Sequence, residues 1–436
     1  MRGRSVAVAA AVVVVAAACS SSSSGKGNKA TTSTAGDTAA SIKGGNFPAV
    51  DQPGVTPTEI RVSGVAEVTN PLGAAAASAF DGVQAYFAMV NAQGGIYGRK
   101  LVLAGRHDDN FTQNRQTVEA VIDQDNPFAV LPIATTLFTG ASLLARANIP
   151  TFGWGIQTDW FGPPNFFPQT FNCIGSQCPY PVLPYVAQKL GKKRLGILAY
   201  NVAQSASCLD SDRASFEKYP TAKIVYATSS LSFGATDMSA DVKRMADEKV
   251  DLVATCMDNN GTLTLAREMR QQGLTAPIVL PNAYDHDFMS KNAGFFQHAV
   301  VTIQEAPIET KPRFKALQDF VTWMGKSGFR LTENAEVAWV NADTFVTGLR
   351  AAGPNFTREG VVNALNKLAD YDAGGMIGPI DWTRQHTEQT YPRACIAYVR
   401  VENGKFVQAW GAPGKPFTCW NGPLGSMDVS NPYARQ

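Results

Sequence analysis

Residues 91–136, NAQGGIYGRKLVLAGRHDDNFTQNRQTVEAVIDQDNPFAVLPIATT, decide the fold. Gly94-Gly95 is a helix stop, and the β-branched run at 99–109 that follows it reads as a strand. A helical stretch comes next around Val118 to Ile122, and FAVLPIA at 128–134 is a second strand ending in the hydroxyl pair Thr135-Thr136. Strand, helix and strand in this order make a βαβ unit, whose two strands lie parallel with the helix crossing one face.

The same alternation extends in both directions. Upstream, EIRVSGVA at 59–66 is a strand, followed by a helix in which Phe80, Val83, Phe87 and Val90 share one face at helical spacing. Downstream, GASLLARAN at 140–148 is a short helix and IPTFGWG at 149–155 a strand. FGPPNFFPQTF at 161–171 reads as an extended bridge, after which the pattern restarts with strands at 194–200, 223–231, 251–257, 277–282 and 299–303. Helices near 205–219, 240–248, 262–272 and 285–292 separate them. Longer helices follow at 313–326, 334–352 and 358–368, and the ending CIAYVRVENGKFVQAW is a β-hairpin turning at Asn403-Gly404. The fold class is therefore α/β: two doubly wound parallel-sheet lobes. A chain of 436 residues agrees, because it exceeds what one hydrophobic core usually organises.

Composition narrows the partners. A formal net charge of +2 at pH 7 gives no basic patch for nucleic acid and no attraction to an anionic membrane surface. The N-terminus reads as an export signal over 1–18: Arg2 and Arg4 precede an apolar run, 6–18, of 13 residues, too short for a bilayer-spanning helix of about 20. Ala16-Ala17-Ala18-Cys19 resembles a bacterial lipobox, which implies that Cys19 is lipidated; ordinary cleavage after an A-x-A site is the alternative. The Ser-, Thr-, Gly- and Ala-rich segment 19–53 is a flexible tether. The seven cysteines are an odd set, and setting Cys19 aside leaves six in a chain addressed to an oxidising compartment. No C-x2-C spacing occurs, and His107, His286, His298 and His386 are scattered, so no metal centre is expected.

On the residues of the opening stretch, Asn91, Gly94-Gly95, Gly98-Arg99 and Asp108-Asp109, together with LGKKRLGILAYN and GPIDWT further on, the chain resembles the type I periplasmic solute-binding proteins of the branched-chain amino-acid class. That resemblance implies three crossings forming a hinge, a first lobe of 54–167 plus 306–376, a second of 168–305 plus 377–420, and a tail at 421–436. It also implies a non-enzymatic, monomeric, lipid-anchored component of an ABC importer. Such a protein would act at the outer face of the cytoplasmic membrane, partnered by a small solute and permease subunits, without a cofactor. All six remaining cysteines then fall in the second lobe, with Cys173–Cys178, Cys208–Cys256 and Cys395–Cys419 the expected pairs among the many that six cysteines permit.

Open parallel sheets bind ligands beyond the carboxyl ends of their strands, where helix N-termini present free N–H groups. In the first lobe this selects Thr69 and Asn70, Thr135 and Thr136, Trp154 and Gly155, and Thr158; in the second, Asn201 to Ser205, Asp258 with Asn259 and Asn260, and Tyr284 with Asp285. Hydroxyls of the first lobe suit a carboxylate, and Asp258 or Asp285 an ammonium. The resemblance matches the carboxylate position to Thr135 or Thr136 and the amino-group partner to the neighbourhood of Asp285, while Trp154-Gly155 departs from the small hydroxyl pair common in that class. The competing reading makes Thr135, Asp258 and Asp285 helix caps and Trp154 a packed core edge. His107-Asp108-Asp109 is expected to be structural, and neither G-x-S-x-G, H-E-x-x-H nor a P-loop occurs, which disfavours an exported hydrolase. A sensor that reports its ligand to a signalling receptor is the other alternative.

Overall fold

The computed structural model describes residues 47–72, 75–169, 176, 179–281, 283–387, 394–420 and 429–430. Cys19, Cys173 and Cys178 lie outside the described residues, as do the expected signal and most of the tether.

The first sheet is all parallel, in the order β2 (Lys100–Asp108), β1 (Glu59–Ala66), β3 (Ala129–Ala134), β4 (Thr151–Gly153), β5 (Phe166–Pro168). The stretch expected as a plain bridge thus supplies an edge strand: Phe166 and Phe167 are fully buried and pair with Thr151 and Phe152. Helices α1 (Ser78–Ala92), α2 (Asn114–Ala120) and α3 (Ala141–Arg146) cross between these strands.

The second sheet runs through β6 (Arg194–Tyr200), β7 (Lys223–Leu231), β8 (Leu252–Cys256), β9 (Ile278–Pro281) and β10 (Val300–Ile303), which pair in parallel in the order β7-β6-β8-β9-β10. Its helices are α4 (Val182–Leu190), which the sequence reading omitted, α5 (Ala203–Lys218), α6 (Ser239–Asp247), α7 (Asn259–Gln271) and α8 (His286–Lys291). This sheet is not purely parallel. Strand β11 (Ala394–Glu402) adds antiparallel to β10, and β12 (Lys405–Gln408), β13 (Phe417–Trp420) and β14 (Val429–Ser430) continue antiparallel from it. The β11–β12 hairpin turns at Asn403 and Gly404, φ 51° and 72°, and two positive φ values in succession are what selects the Asn-Gly pair.

Between β10 and β11 lie α9 (Lys315–Lys326), α10 (Glu333–Ala352), α11 (Arg358–Leu365) and α12 (Trp382–Gln385), of which α10 packs on α1 and on the first sheet. Two details fix the start of α10. The Thr332 hydroxyl caps it, accepting from the Ala335 N–H at 3.2 Å and meeting the Ser78 hydroxyl at 2.6 Å. Gly82 of α1 presses against the Ala335 carbonyl so closely that a Cβ there would stand 2.0 Å from the oxygen.

The hinge gathers three crossings. Glu305 and Ile377 form an isolated antiparallel bridge, and the Gln169 side chain donates to Glu305 at 3.1 Å. The expected boundary at 376–377 sits inside this hinge: Gly378 packs on Cys395, whereas Trp382 returns onto Phe167 with ring centroids 5.2 Å apart. Two disulfides stand among the described cysteines, both as expected. Cys208–Cys256 ties α5 to the end of β8, and Cys395–Cys419 joins facing residues of β11 and β13. No described helix is long and apolar enough to cross a membrane.

Candidate functional site

The carboxyl ends of β5 and β10 run directly into hinge crossings, at Gln169 and at Gln304-Glu305. At the end of β1 the chain continues into Glu67, whose N–H donates to the Ala134 carbonyl at 2.8 Å and so brings it beside the end of β3. There the Glu67 carboxylate accepts both the N–H and the hydroxyl of Thr136, each at 2.8 Å. Burial pushes the Glu67 carboxyl up to about 7, and the negative Asp109 adds to this, against the two Thr136 hydrogen bonds. The hydroxyl expected to hold a carboxylate therefore does so, and the carboxylate is the chain's own.

The other first-lobe candidates divide. Thr69 turns its N–H and hydroxyl to Asp108, the hydroxyl bond 2.6 Å long. The Asn70 side chain donates to the Glu67 carbonyl and accepts from Leu72 N. Thr135 is buried, its hydroxyl 3.5 Å from Asp109, whose carboxylate also accepts from Asn114 and from Phe111 N. His107 pairs with Asp125 at 2.7 Å, so all three members of the His107-Asp108-Asp109 run hold the loops around α2. Trp154 is half-buried and its indole N–H donates to Gln304 of the second crossing at 2.9 Å. Gly155 is buried, and Thr158 is exposed at the start of a single 3-10 turn. Gln157, which the sequence reading passed over, clamps this end of the sheet: its amide donates to the carbonyls of Thr135 and Thr136 and its oxygen accepts from Trp160.

In the second lobe, Ser205 is buried, accepting from Tyr200 N and donating to the Cys256 carbonyl. Asp258 caps α7 through the N–H groups of Asn260 and Gly261 and accepts the Tyr200 hydroxyl at 2.6 Å. Asn259 opens that helix and is partly exposed, and the Asn260 amide reaches the Pro71 carbonyl of the other lobe at 3.2 Å. Asp285 caps α8, accepting from Phe288 N at 2.9 Å. Tyr284 is fully buried: its hydroxyl donates to Glu309 and accepts from Ile308 N, and its own N–H points at Glu333, 3.4 Å away.

Tyr284 thereby leads to a group of acidic residues that the sequence reading did not single out. Glu305 comes from the hinge, Glu309 from just beyond it, and Glu333 and Glu336 from the first turn of α10. Burial raises Glu305 to about 7; burial together with Glu305 and Asp285 raises Glu333 to about 8; Glu336 is raised well above the ordinary carboxyl value by burial and by Glu305, Glu309 and Glu333. At the opposite rim the lobes meet through aromatic rings, Phe111 of the first stacking on Phe233 of the second at 6.3 Å.

The fold agrees with what known proteins show. Among solved structures, the fatty acid ABC transporter substrate-binding protein from Thermomonospora curvata is similar over 87% of this chain and 95% of its own, at 20% identity and TM-score 0.66. The branched-chain amino acid ABC transporter protein from Thermus thermophilus with bound valine is similar over 84% and 98%, at 16% identity and TM-score 0.68. The branched-chain amino acid substrate-binding protein of Streptococcus pneumoniae in complex with isoleucine is similar over 80% and 98%, at 18% identity and TM-score 0.67. No curated protein sequence matches this one. The sequence model of one family, described as periplasmic binding protein, matches residues 59–405, and with most of the folded chain inside that match the protein belongs to the periplasmic binding protein family, with the type I fold.

Proposed function

We propose that the protein is the extracytoplasmic solute-binding component of an ABC importer, holding a small polar, nitrogen-bearing solute, an amino acid, amide or amine, between its lobes. The observation that carries this reading is the meeting of polar strand ends across the hinge, where Trp154 of the first sheet reaches Gln304, and Tyr284 of the second reaches Glu333. Two lobes joined only through crossings can rotate about them, and a solute that touches both favours the closed arrangement. A long-chain carboxylate, the solute class named for the Thermomonospora protein, fits less well, since Glu67 already takes the Thr136 donors and Glu305 and Glu336 are buried acids. The chain contributes recognition rather than catalysis, and Cys19 with its tether would keep it beside the permease.

A thermal-shift screen of amino acids, amides and carboxylates tests the reading, because a ligand bound only by the native state raises the melting temperature by mass action. With amines added to the panel, a rise for at least one amino acid, amide or amine is expected; no rise for any of these would refute the solute class. Mass spectrometry of the exported protein tests the anchor, and an N-terminus beyond Cys19 without a lipid would remove it.

A further inference from the structure

Glu336 is 0% exposed and neither of its carboxylate oxygens has a hydrogen-bond partner; Glu305 is 1% exposed and one of its two oxygens has none. An uncompensated buried carboxylate costs several kcal/mol, so orphaned oxygens of this kind call for a proton or a cation. Neither Glu305, Glu333 nor Glu336 forms an ion pair with a lysine or arginine among the described residues, and the charged groups acting most on Glu336 are Glu305, Glu309 and Glu333. Next to this set His286 pairs with Glu309, its Nε2 2.7 Å from that carboxylate. Glu333 and Glu309 are partly exposed, whereas Glu305, in the hinge, is buried.

Resting on the solute-binding reading above, we propose that Glu305, Glu333 and Glu336 are the seat of a positively charged nitrogen, and that the solute is a small organic cation, an alkylammonium or guanidinium, without a free carboxylate. Three features favour this class over its neighbours. A free carboxylate finds the Thr136 donors already taken by Glu67. Asp258 and Asp285, the acids expected from the strand ends to pair with an ammonium, each hold a helix N-terminus. A bare metal ion needs converging oxygens, yet among the described residues the one trio of ligand-type groups within 4.8 Å of one another is Cys208, Asp212 and Cys256. An organic cation spreads its charge over several donors and suits a looser ring of carboxylates.

Isothermal titration of the oxidised protein with 1,4-diaminobutane, agmatine, L-leucinamide, L-leucine, butyrate and calcium chloride tests the assignment. Binding of the diamine or agmatine is expected, with release of protons to the buffer and an affinity that rises with pH between about 6 and 8.5, because the cation displaces protons from these carboxyls. Glu336→Gln should weaken that binding by about tenfold or more, and Glu305→Gln likewise, while circular dichroism and a melting temperature at or above wild type show both variants folded. Cation binding unchanged in both variants overturns the seat. Leucine or butyrate binding in preference to the cations overturns it while leaving solute binding intact; calcium binding without amine binding overturns the organic class; silence from the whole panel overturns the seat and the solute-binding reading together.

Discussion

The carboxylate of Glu67 accepts the N–H and the hydroxyl of Thr136, both at 2.8 Å, at the adjoining ends of β1 and β3. The donors that a solute carboxylate would use are thus satisfied from within. Glu67→Ala frees them, and L-leucine is expected to gain about tenfold in affinity by titration calorimetry, since charge-assisted hydrogen bonds are worth about 1.5–3 kcal/mol each. The same variant leaves two donors unpaired when empty and should lose about 1–3 kcal/mol of stability by urea unfolding. Unaltered leucine affinity would sink the idea that Glu67 blocks a carboxylate seat.

The buried carboxyls set the pH dependence of the ligand-free protein. Glu67 and Glu305 sit at about 7 and Glu333 at about 8, and Glu336 is also raised well above the ordinary 4.5, so the folded state holds protons that the unfolded chain has released. Stability therefore falls as pH rises from about 4.5 through 8. The groups facing them are Asp109 for Glu67, and Glu309, Asp285, Tyr284 and His286 for the hinge set. Asp212, raised to about 7 by burial, acts in the same direction. His386 acts oppositely, lowered by burial from 6.5 to about 4, so its contribution is lost on acidification through that window and is constant above it. Calorimetric scans should give a lower melting temperature at pH 8.5 than at pH 6.5, and Glu336→Gln should flatten the difference. A melting temperature that climbs over this range would contradict the assignment.

The positions of most strands and helices along the chain were legible from apolar runs and 3.6-residue spacing, as in Phe80, Val83, Phe87 and Val90 on α1, which are all buried. The edge strand at Phe166–Pro168 was hidden by its prolines, which punctuate turns as well as edges. In the site, the sequence located strand ends but not their occupants. Thr136 was recognisable as a carboxylate partner, yet Glu67 becomes that partner only because β1 and β3 are neighbours in the sheet. Glu333 and Glu336 resemble the acidic first turn of any helix, a common complement to the helix dipole. Their meeting with Glu305 follows from α10 docking on α1 through Gly82, a contact between residues some 250 apart that no local pattern encodes.

The Cys395–Cys419 disulfide, 24 residues apart in sequence, fastens β13 to β11 where the sheet extends beyond its parallel part. Closing a loop of this size stabilises by about 3 kcal/mol in the chain-entropy description. Cys395→Ala with Cys419→Ala should lower the urea midpoint accordingly and leave the parallel strands intact by hydrogen exchange. Equal unfolding midpoints for the oxidised and doubly substituted proteins would show that the bond contributes no stability.

Phe233, exposed at 39%, stacks on Phe111 across the lobes at 6.3 Å and meets Tyr200 edge-on at 5.2 Å, while the Tyr200 hydroxyl donates to the Asp258 cap. Together with the Asn260 amide on the Pro71 carbonyl, these rings join the two lobes, and the proposed closing motion would make these contacts and opening would break them. Such a ring pair contributes about 0.5–1.5 kcal/mol beyond its buried area, and because it forms only when the lobes come together it slows release more than it speeds capture. Phe233→Ala should therefore raise the solute dissociation rate by up to about tenfold with little change in the association rate. Stopped-flow fluorescence reads both, since Trp154 stands between the first sheet and Gln304 of the hinge and its environment changes as the lobes move. A variant whose dissociation rate equals that of the parent would remove the rings from the closing mechanism and leave the hinge-side contacts of Trp154 and Tyr284 as its basis.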